Sequence, residues 1–240
     1  MSLEIKDGAL FVADAHENGK NRTLFSKLLR RIQSGEATVT QLFLMGDMFD
    51  LLVGGVETTQ RLFKDEIACL EEIGQKIEVF YFEGNHDFNL SKIFSHVKII
   101  PLKKQPMPFE SRCGLFWLSH GDLDGGFWYK LYTALIRNPF LVAVLSLFDF
   151  KGLISYSILK KLEKKELCTK IKNFEDIAVK KILFYKECDF IVEGHYHQNQ
   201  SFKSKKCTYV NLGAFACGGR VYLFNTKSKP HFKSLIFSEN

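Results

Sequence analysis

The sequence predicts an α/β fold with two layers of mixed sheet between helices and a helical insertion late in the chain. Three observations carry this. Short apolar runs alternate with helix-patterned stretches over the first hundred residues, which argues for parallel strands joined by crossover helices. Five polar clusters each follow one of these runs, where open α/β sheets place their ligands. Beyond residue 126 the period-two alternation stops, and it resumes only at residue 190. The 240 residues are enough for one domain, 1–240, with a sizeable core and an insertion over about 127–186.

Residues 9–13 form the first strand and end at Asp14-Ala15-His16. Leu24, Phe25, Leu28, Leu29 and Ile32 then recur at helical spacing, with Asn21 or Thr23 as cap. Residues 39–45 are the second strand, and residues 57–74 a helix facing inward through Leu62, Ile67, Leu70 and Ile73, stopped by Gly74. Residues 77–82 are the third strand, ending at Gly84-Asn85-His86-Asp87. Two more follow at 97–100 and 115–119, separated by a Pro-rich irregular link. The 127–185 stretch reads as helices broken at Asn138-Pro139 and Lys151-Gly152, apolar and aromatic at first and Lys-rich later. Residues 190–192, 208–212, 220–224 and 232–237 complete the sheets, the last three as antiparallel strands.

Composition narrows the class. Hydrophobic residues make up 46% of the chain, so it is globular. The net charge of +6 suits an anionic partner. No aromatic–basic alternation or second basic domain points to nucleic acid. The longest apolar stretch, 139–148, is too short to span a bilayer, and no secretory signal precedes the first strand. Six cysteines without a C-x-x-C spacing read as reduced thiols of a cytosolic protein.

The five clusters are Asp14-Ala15-His16, Gly46-Asp47-Met48-Phe49-Asp50, Gly84-Asn85-His86-Asp87, His120-Gly121-Asp122 and Gly194-His195-Tyr196-His197. Together they supply a mixed imidazole and oxygen donor set without thiolate. Such a set suits Mn²⁺, Fe²⁺, Ni²⁺ or Zn²⁺ better than Ca²⁺ or a structural zinc. The expected ligands of two divalent ions are Asp14, His16, Asp47, Asn85, His120, His195 and His197, with Asp47 shared. Asp87 reads as a cap of the following turn, and Asp122 and Asp124 as outer groups or loop acids.

D-x-H, G-D-x-x-D, G-N-H-D, H-G-D and G-H-x-H resemble, as a set and in order, the five blocks of the calcineurin-like metallophosphoesterases. That resemblance implies a four-layer α/β/β/α sandwich. It implies Asp14, His16, Asp47 and His197 on one ion, and Asp47, Asn85, His120 and His195 on the other. It further implies that His86 protonates the leaving group and is oriented by Asp50, and that Asn85 helps neutralise the phosphoryl group. Mn²⁺ is the first expectation for the metal.

The length, the insert directly after H-G-D and Asn138-Pro139-Phe140-Leu141 resemble the UDP-2,3-diacylglucosamine hydrolases of lipid A synthesis. This implies a lipid-linked nucleotide sugar as substrate, in a cytoplasmic enzyme touching the inner face of the inner membrane through its cap. Trp128 and Phe140 are the expected acyl contacts, and Lys160, Lys161, Lys164 and Lys165 the contacts to pyrophosphate or anionic head groups. His86 stands where the main branch of those hydrolases usually carries Arg. Two alternatives keep part of this pattern: a soluble phosphodiesterase for nucleotides, and a metal-bound scaffold without catalysis.

Overall fold

The computed structural model describes residues 3–19, 24–123 and 125–238. The first half runs β1 (Leu10–Val12), α1 (Leu24–Ser34), β2 (Gln41–Leu44), β3 (Leu52–Val53), α2 (Glu57–Leu62), α3 (Lys64–Lys76), β4 (Glu78–Phe82), β5 (Asp87–Phe88) and β6 (Lys98–Ile100). Next come β7 (Met107–Ser111), β8 (Gly114–Ser119), α4 (Phe127–Ile136), α5 (Pro139–Phe148), α6 (Leu153–Leu162) and α7 (Phe174–Phe184). Then follow β9 (Phe190–Glu193), β10 (Gln200–Lys203), β11 (Thr208–Asn211), β12 (Arg220–Phe224) and β13 (Phe232–Ile236).

One sheet has the order β13-β12-β1-β2-β4-β6, and the other β10-β11-β9-β8-β7. β1, β2, β4 and β6 are parallel neighbours, as crossover helices require. The apolar faces of the two sheets meet in a Phe-rich core. Phe43 stacks between Phe11 and Phe80 at 4.4 and 4.9 Å, and Phe116 and Phe109 come from the opposing sheet. Phe25, Leu28, Leu29 and Ile32 of α1, with Leu70 and Ile73 of α3, cover the outer face of the first sheet. Phe174, Ala178 and Ile182 of α7 cover the second, against Ile191 and Tyr209. The result is the four-layer α/β/β/α sandwich.

Several local expectations change. The helix expected over 57–74 is two helices broken at Phe63, and Gly74 lies inside α3. A Cβ there would sit 2.7 Å from the His96 carbonyl oxygen, so Gly74 serves the close approach of the 95–96 loop and terminates nothing. β11 is antiparallel to β10, as expected, and also runs parallel to β9 on its other side. The apolar pattern does not announce β7, β10 or the short β3–β5 pair. The expected caps Asn21 and Thr23, and the loop acid Asp124, lie outside the described residues.

The insertion divides into two parts. α4, α5 and α6 form the cap, whereas α7 belongs to the sandwich through its buried face. Asn138 caps α5 by accepting from the Phe140 and Leu141 amides, with Pro139 in the first turn. No single described helix is long and apolar enough to cross a membrane; α4 and α5 together reach that length and composition but are bent by 61°.

Candidate metal centre

Asp14 and His16 follow β1, Asp47 follows β2, Asn85 follows β4, His120 follows β8, and His195 and His197 follow β9. Every one of these strands ends at the same edge of the sandwich, so residues 181 positions apart become neighbours. The His195 amide donates to both carboxylate oxygens of Asp14, at 3.1 and 3.0 Å.

Two groups form. Asp14, His16 and His197 converge, and so do Asp47, His120 and His195, each with ligand atoms within 4.8 Å of one another. Asn85 joins the second group, its Oδ1 3.3 Å from His120 Nε2. The grouping demands a bent backbone. Asp14, His16, Asp47, His195 and His197 all have φ between 48° and 64°. Asp and His tolerate this left-handed region better than most residues, yet each such position costs roughly 1–3 kcal/mol, the kind of strain that collects at functional sites. Gly84 allows the loops to close on each other, since a Cβ there would fall 2.1 Å from Asp47 Oδ1.

The imidazoles are preset as ligands. Nδ1 of His120 donates to the Met45 carbonyl (3.0 Å), and Nδ1 of His197 donates to the Leu167 carbonyl (2.6 Å). Nδ1 of His16 donates to Asp50 Oδ1 (3.1 Å). An acceptor that takes the Nδ1 proton leaves Nε2 with a free lone pair. His16 Nε2 is buried without a hydrogen-bond partner, an atom that a cation would satisfy. His195 turns its own Nδ1 to within 3.2 Å of His120 Nε2, so two ring nitrogens aim at one point. This donor set fits divalent cations.

The electrostatics follow from crowding. Burial pushes Asp47 up, but the adjacent His120, His86 and His16 outweigh it and hold the carboxyl well below its usual range. Burial lowers His120, and Asp47 more than reverses this, so its affinity for a proton is raised well above normal. Burial and the neighbouring His120 push His195 down to about 4. Burial likewise lowers His86.

The His86 contact corrects one expectation. Its Nδ1 lies 2.8 Å from the backbone oxygen of Asp50, while the Asp50 carboxylate holds His16. Asp50 therefore orients His86 through its main chain and His16 through its side chain. Asp87 is also more than a turn cap. It is fully buried and accepts from the Asp47 and Met48 amides, the Gly84 amide and the Tyr81 hydroxyl, stapling two metal-bearing loops together. The D of G-N-H-D is visible in the sequence, but its partners are remote in the chain. Another support that no motif announces is buried Lys181, which donates to the Gly121 carbonyl and lies 3.5 Å from Glu193. Asp122 accepts from the Tyr129 hydroxyl at 2.9 Å.

A cleft of about 400 Å³ separates the cap from the sandwich and reaches Asn85 and His86. Tyr132, Ile136, Val142, Leu145, Ile158 and Leu162 are among its walls. Trp128 and Phe140 are not. They are 78% and 74% exposed, because the cleft stripes run through 129, 132 and 136 on α4 and through 142, 145 and 146 on α5. Lys165 lines, with His16 and Asp50, a separate pocket of about 360 Å³, whereas Lys160, Lys161 and Lys164 are exposed and belong to the walls of neither this pocket nor the cap cleft.

The cysteine expectation is corrected as well. Cys168 and Cys217 form a disulfide, which joins the segment before α7 to the loop after β11. Folding brings together two residues 49 positions apart whose pairing no spacing motif announces. The cysteines at 69, 113, 188 and 207 are free.

The sandwich and the five converging loops define a phosphoesterase. The chain belongs to the calcineurin-like phosphoesterase family, whose model matches residues 9–199. It is a metal-dependent phosphoester hydrolase by that membership. Among its relatives, the UDP-2,3-diacylglucosamine hydrolase of Aromatoleum aromaticum is 25% identical over 198 residues, covering 79% of this chain and 80% of that one. The hydrolase of the same description from Blochmanniella pennsylvanica is 24% identical, covering 96% and 95%. Among solved structures, Yfce, a phosphoesterase from E. coli, aligns with a TM-score of 0.46 at 13% identity, covering 96% of this chain and 99% of that chain. A Vps29 mutant from Entamoeba histolytica aligns at 0.41 and 11%, with the same coverage.

Proposed function

We propose that this protein hydrolyses the pyrophosphate of UDP-2,3-diacylglucosamine, releasing UMP and a lipid-linked sugar phosphate, with two divalent ions, Mn²⁺ first among them. The observation that carries the lipid reading is the apolar cleft under the cap, which opens at Asn85 and His86. A nucleotide alone offers no acyl chain to such a wall, and each buried CH₂ is worth about 0.8 kcal/mol. The names of the relatives support the same substrate.

Asp14, His16 and His197 would hold one cation, Asn85, His120 and His195 the other, and Asp47 would serve both. When bound, the cations supply the positive charge that acidifies water and offsets the phosphoryl oxygens. The chain does the rest. Because the Asp50 carbonyl can only accept, Nδ1 of His86 carries a proton, and Nε2 is the atom that faces the site. His86 in its doubly protonated form gives the Nε2 proton to the departing oxygen. The Asn85 amide donates to the phosphoryl group. His86 is buried at the inner end of the cleft, where its ring is held in place.

The outer face of the cap fits a bilayer surface. Trp128, Phe140, Leu147, Phe148 and Phe150 are each more than two-thirds exposed, and Lys151 lies beside Phe150. Apolar side chains of this size at a surface, with Lys at their edge, match the interfacial region of an anionic membrane.

The test is release of UMP from diacylated UDP-glucosamine by the metal-loaded chain and by Ile158→Asp. Hydrolysis by the parent, lost in the variant, is expected, while a small aryl phosphodiester is turned over equally by both. Failure on the lipid substrate with turnover of soluble nucleotides would replace this reading with a soluble phosphodiesterase.

A further inference from the structure

Arg137 ends α4 and stands between the two apolar helices of the cap. Its Nη2 donates to the Gly84 carbonyl at 2.7 Å. Its own carbonyl accepts from Asn89 Nδ2 at 3.2 Å. Its guanidinium carbon lies 5.5 Å over the Phe88 ring, and Nη1 is 3.9 Å from buried Glu83. One cap residue thus grips the 83–89 segment at both ends, with Asn85 and His86 in the middle. The grip is internal, since the side chain is 11% exposed. The segment is tied onward to a metal-bearing loop: Gln105 donates to the Glu83 carbonyl and accepts from the His120 amide.

Around Arg137 the cap meets the sandwich mainly through apolar contacts, with Val142 packed on Val53 and Phe88 and Ile136 beside them; the polar ties are the Tyr129 hydroxyl on Asp122, which Nη2 of Arg137 also approaches at 4.0 Å, and the Arg137 grip itself. Apolar contacts allow sliding, because their energy depends weakly on direction. A guanidinium on a carbonyl has a fixed angle and length, so it converts the position of the cap into the position of the Gly84–His86 turn. We infer that Arg137 is a positioning residue that couples the seating of the cap to the placement of His86, so that the proton donor is aligned only when the cap is closed on the sandwich. This rests on the reading of His86 as proton donor.

The test uses the full-length, metal-loaded chain with Arg137→Gln and Arg137→Lys. Two aryl phosphodiesters are compared: one with an acidic nitrophenol leaving group that needs no proton, and one with a phenol that does. Arg137→Gln should keep its metal content and its KM for both. Its turnover of the phenol ester should fall roughly 10–100-fold, part of the 10²–10⁴ due to an acid group, and its turnover of the nitrophenol ester much less. Arg137→Lys, which still reaches a carbonyl but not with two donors, should recover part of that loss. Amide hydrogen exchange over 84–89 should quicken in Arg137→Gln. Equal losses on the two esters, or unchanged exchange at 84–89 in a folded Arg137→Gln protein, would overturn the coupling. If the parent hydrolyses neither ester, the functional reading fails, and the exchange measurement still decides whether Arg137 holds the turn.

Discussion

Removing the carboxylate of Asp50 should weaken one cation site and spare the other. Asp50 Oδ1 accepts the Nδ1 proton of His16 at 3.1 Å in a pocket where both side chains are nearly inaccessible, His16 at 2% and Asp50 at 8% exposed. In Asp50→Ala, His16 loses what fixes its ring and tautomer, and Nδ1 is left buried and unpaired. Outer partners of metal-binding imidazoles are typically worth 10–100-fold in affinity, or about 1.4–2.8 kcal/mol. That range agrees with a buried hydrogen bond to a charged group, about 1.5–3 kcal/mol. Asp50→Asn should lose less, because an amide oxygen can still accept from Nδ1. The Asp47, His120 and His195 group has no side-chain contact with Asp50 and should keep its affinity. Chelator competition with Mn²⁺ resolves the two steps. At saturating metal, turnover should stay near that of the parent, since His86 leans on the Asp50 main chain. Equal weakening of both sites, or unchanged affinity in Asp50→Ala, would refute this reasoning. If turnover instead drops by roughly a hundredfold or more at full metal loading, the carboxylate serves His86.

Three further outcomes are expected. His86→Ala should retain its metal and lose roughly 10²–10⁴-fold in turnover of esters with poor leaving groups; metal analysis showing a lost ion would contradict the role. Phe43→Ala should cost about 5 kcal/mol in urea unfolding, the upper end for a buried Phe, because Phe43 is 0% exposed and stacked on both sides. A loss below about 2 kcal/mol would mean that the core relaxes around the gap. Glu78 is held down to about 2 from 4.5 by hydrogen bonds from Lys6, Lys98 and Gln41. A depressed carboxyl stabilises the folded state above its unfolded value and stops doing so as pH falls from 4.5 toward 2. With a third of the side chain exposed, solvent screening reduces its contribution to about 1 kcal/mol. Glu78→Gln should therefore be less stable by that amount at neutral pH, with the gap narrowing on acidification; a pH-independent gap would remove the ion pairs from the account.

The cap shows how composition and placement differ. Its apolar, aromatic character is legible in residues 127–148, and so is the break at Asn138-Pro139. Which aromatic side chains face the cleft depends on how α4 and α5 are rotated against the sandwich. That rotation is set by Val142 on Val53 and Phe88 and by the grip of Arg137. Trp128 and Phe140, the aromatic residues expected in the cleft, therefore lie on the outside, while Tyr132 and Leu145 take the inner positions. α7 carries a Lys-rich pattern resembling the cap, yet Phe174, Ile177, Ala178 and Ile182 pack against the second sheet and Lys181 is buried beneath the metal-bearing loops.

What the sequence determined by itself was the set of strand ends and the chemistry they bear. Apolar runs mark buried strands, and an Asp, Asn or His just past such a run can only sit at the sheet edge. The five clusters are thus readable as one site without coordinates. Only the tertiary structure decided the atoms: that Asp50 serves His16 through its carboxylate and His86 through its carbonyl, that Asp87 staples two loops, and that Cys168 meets Cys217. The reason is physical. Strand formation depends on near neighbours in the chain, whereas hydrogen-bond partners across loops depend on backbone angles such as the left-handed turns at Asp14, Asp47 and His195, which exist only once the two sheets have packed.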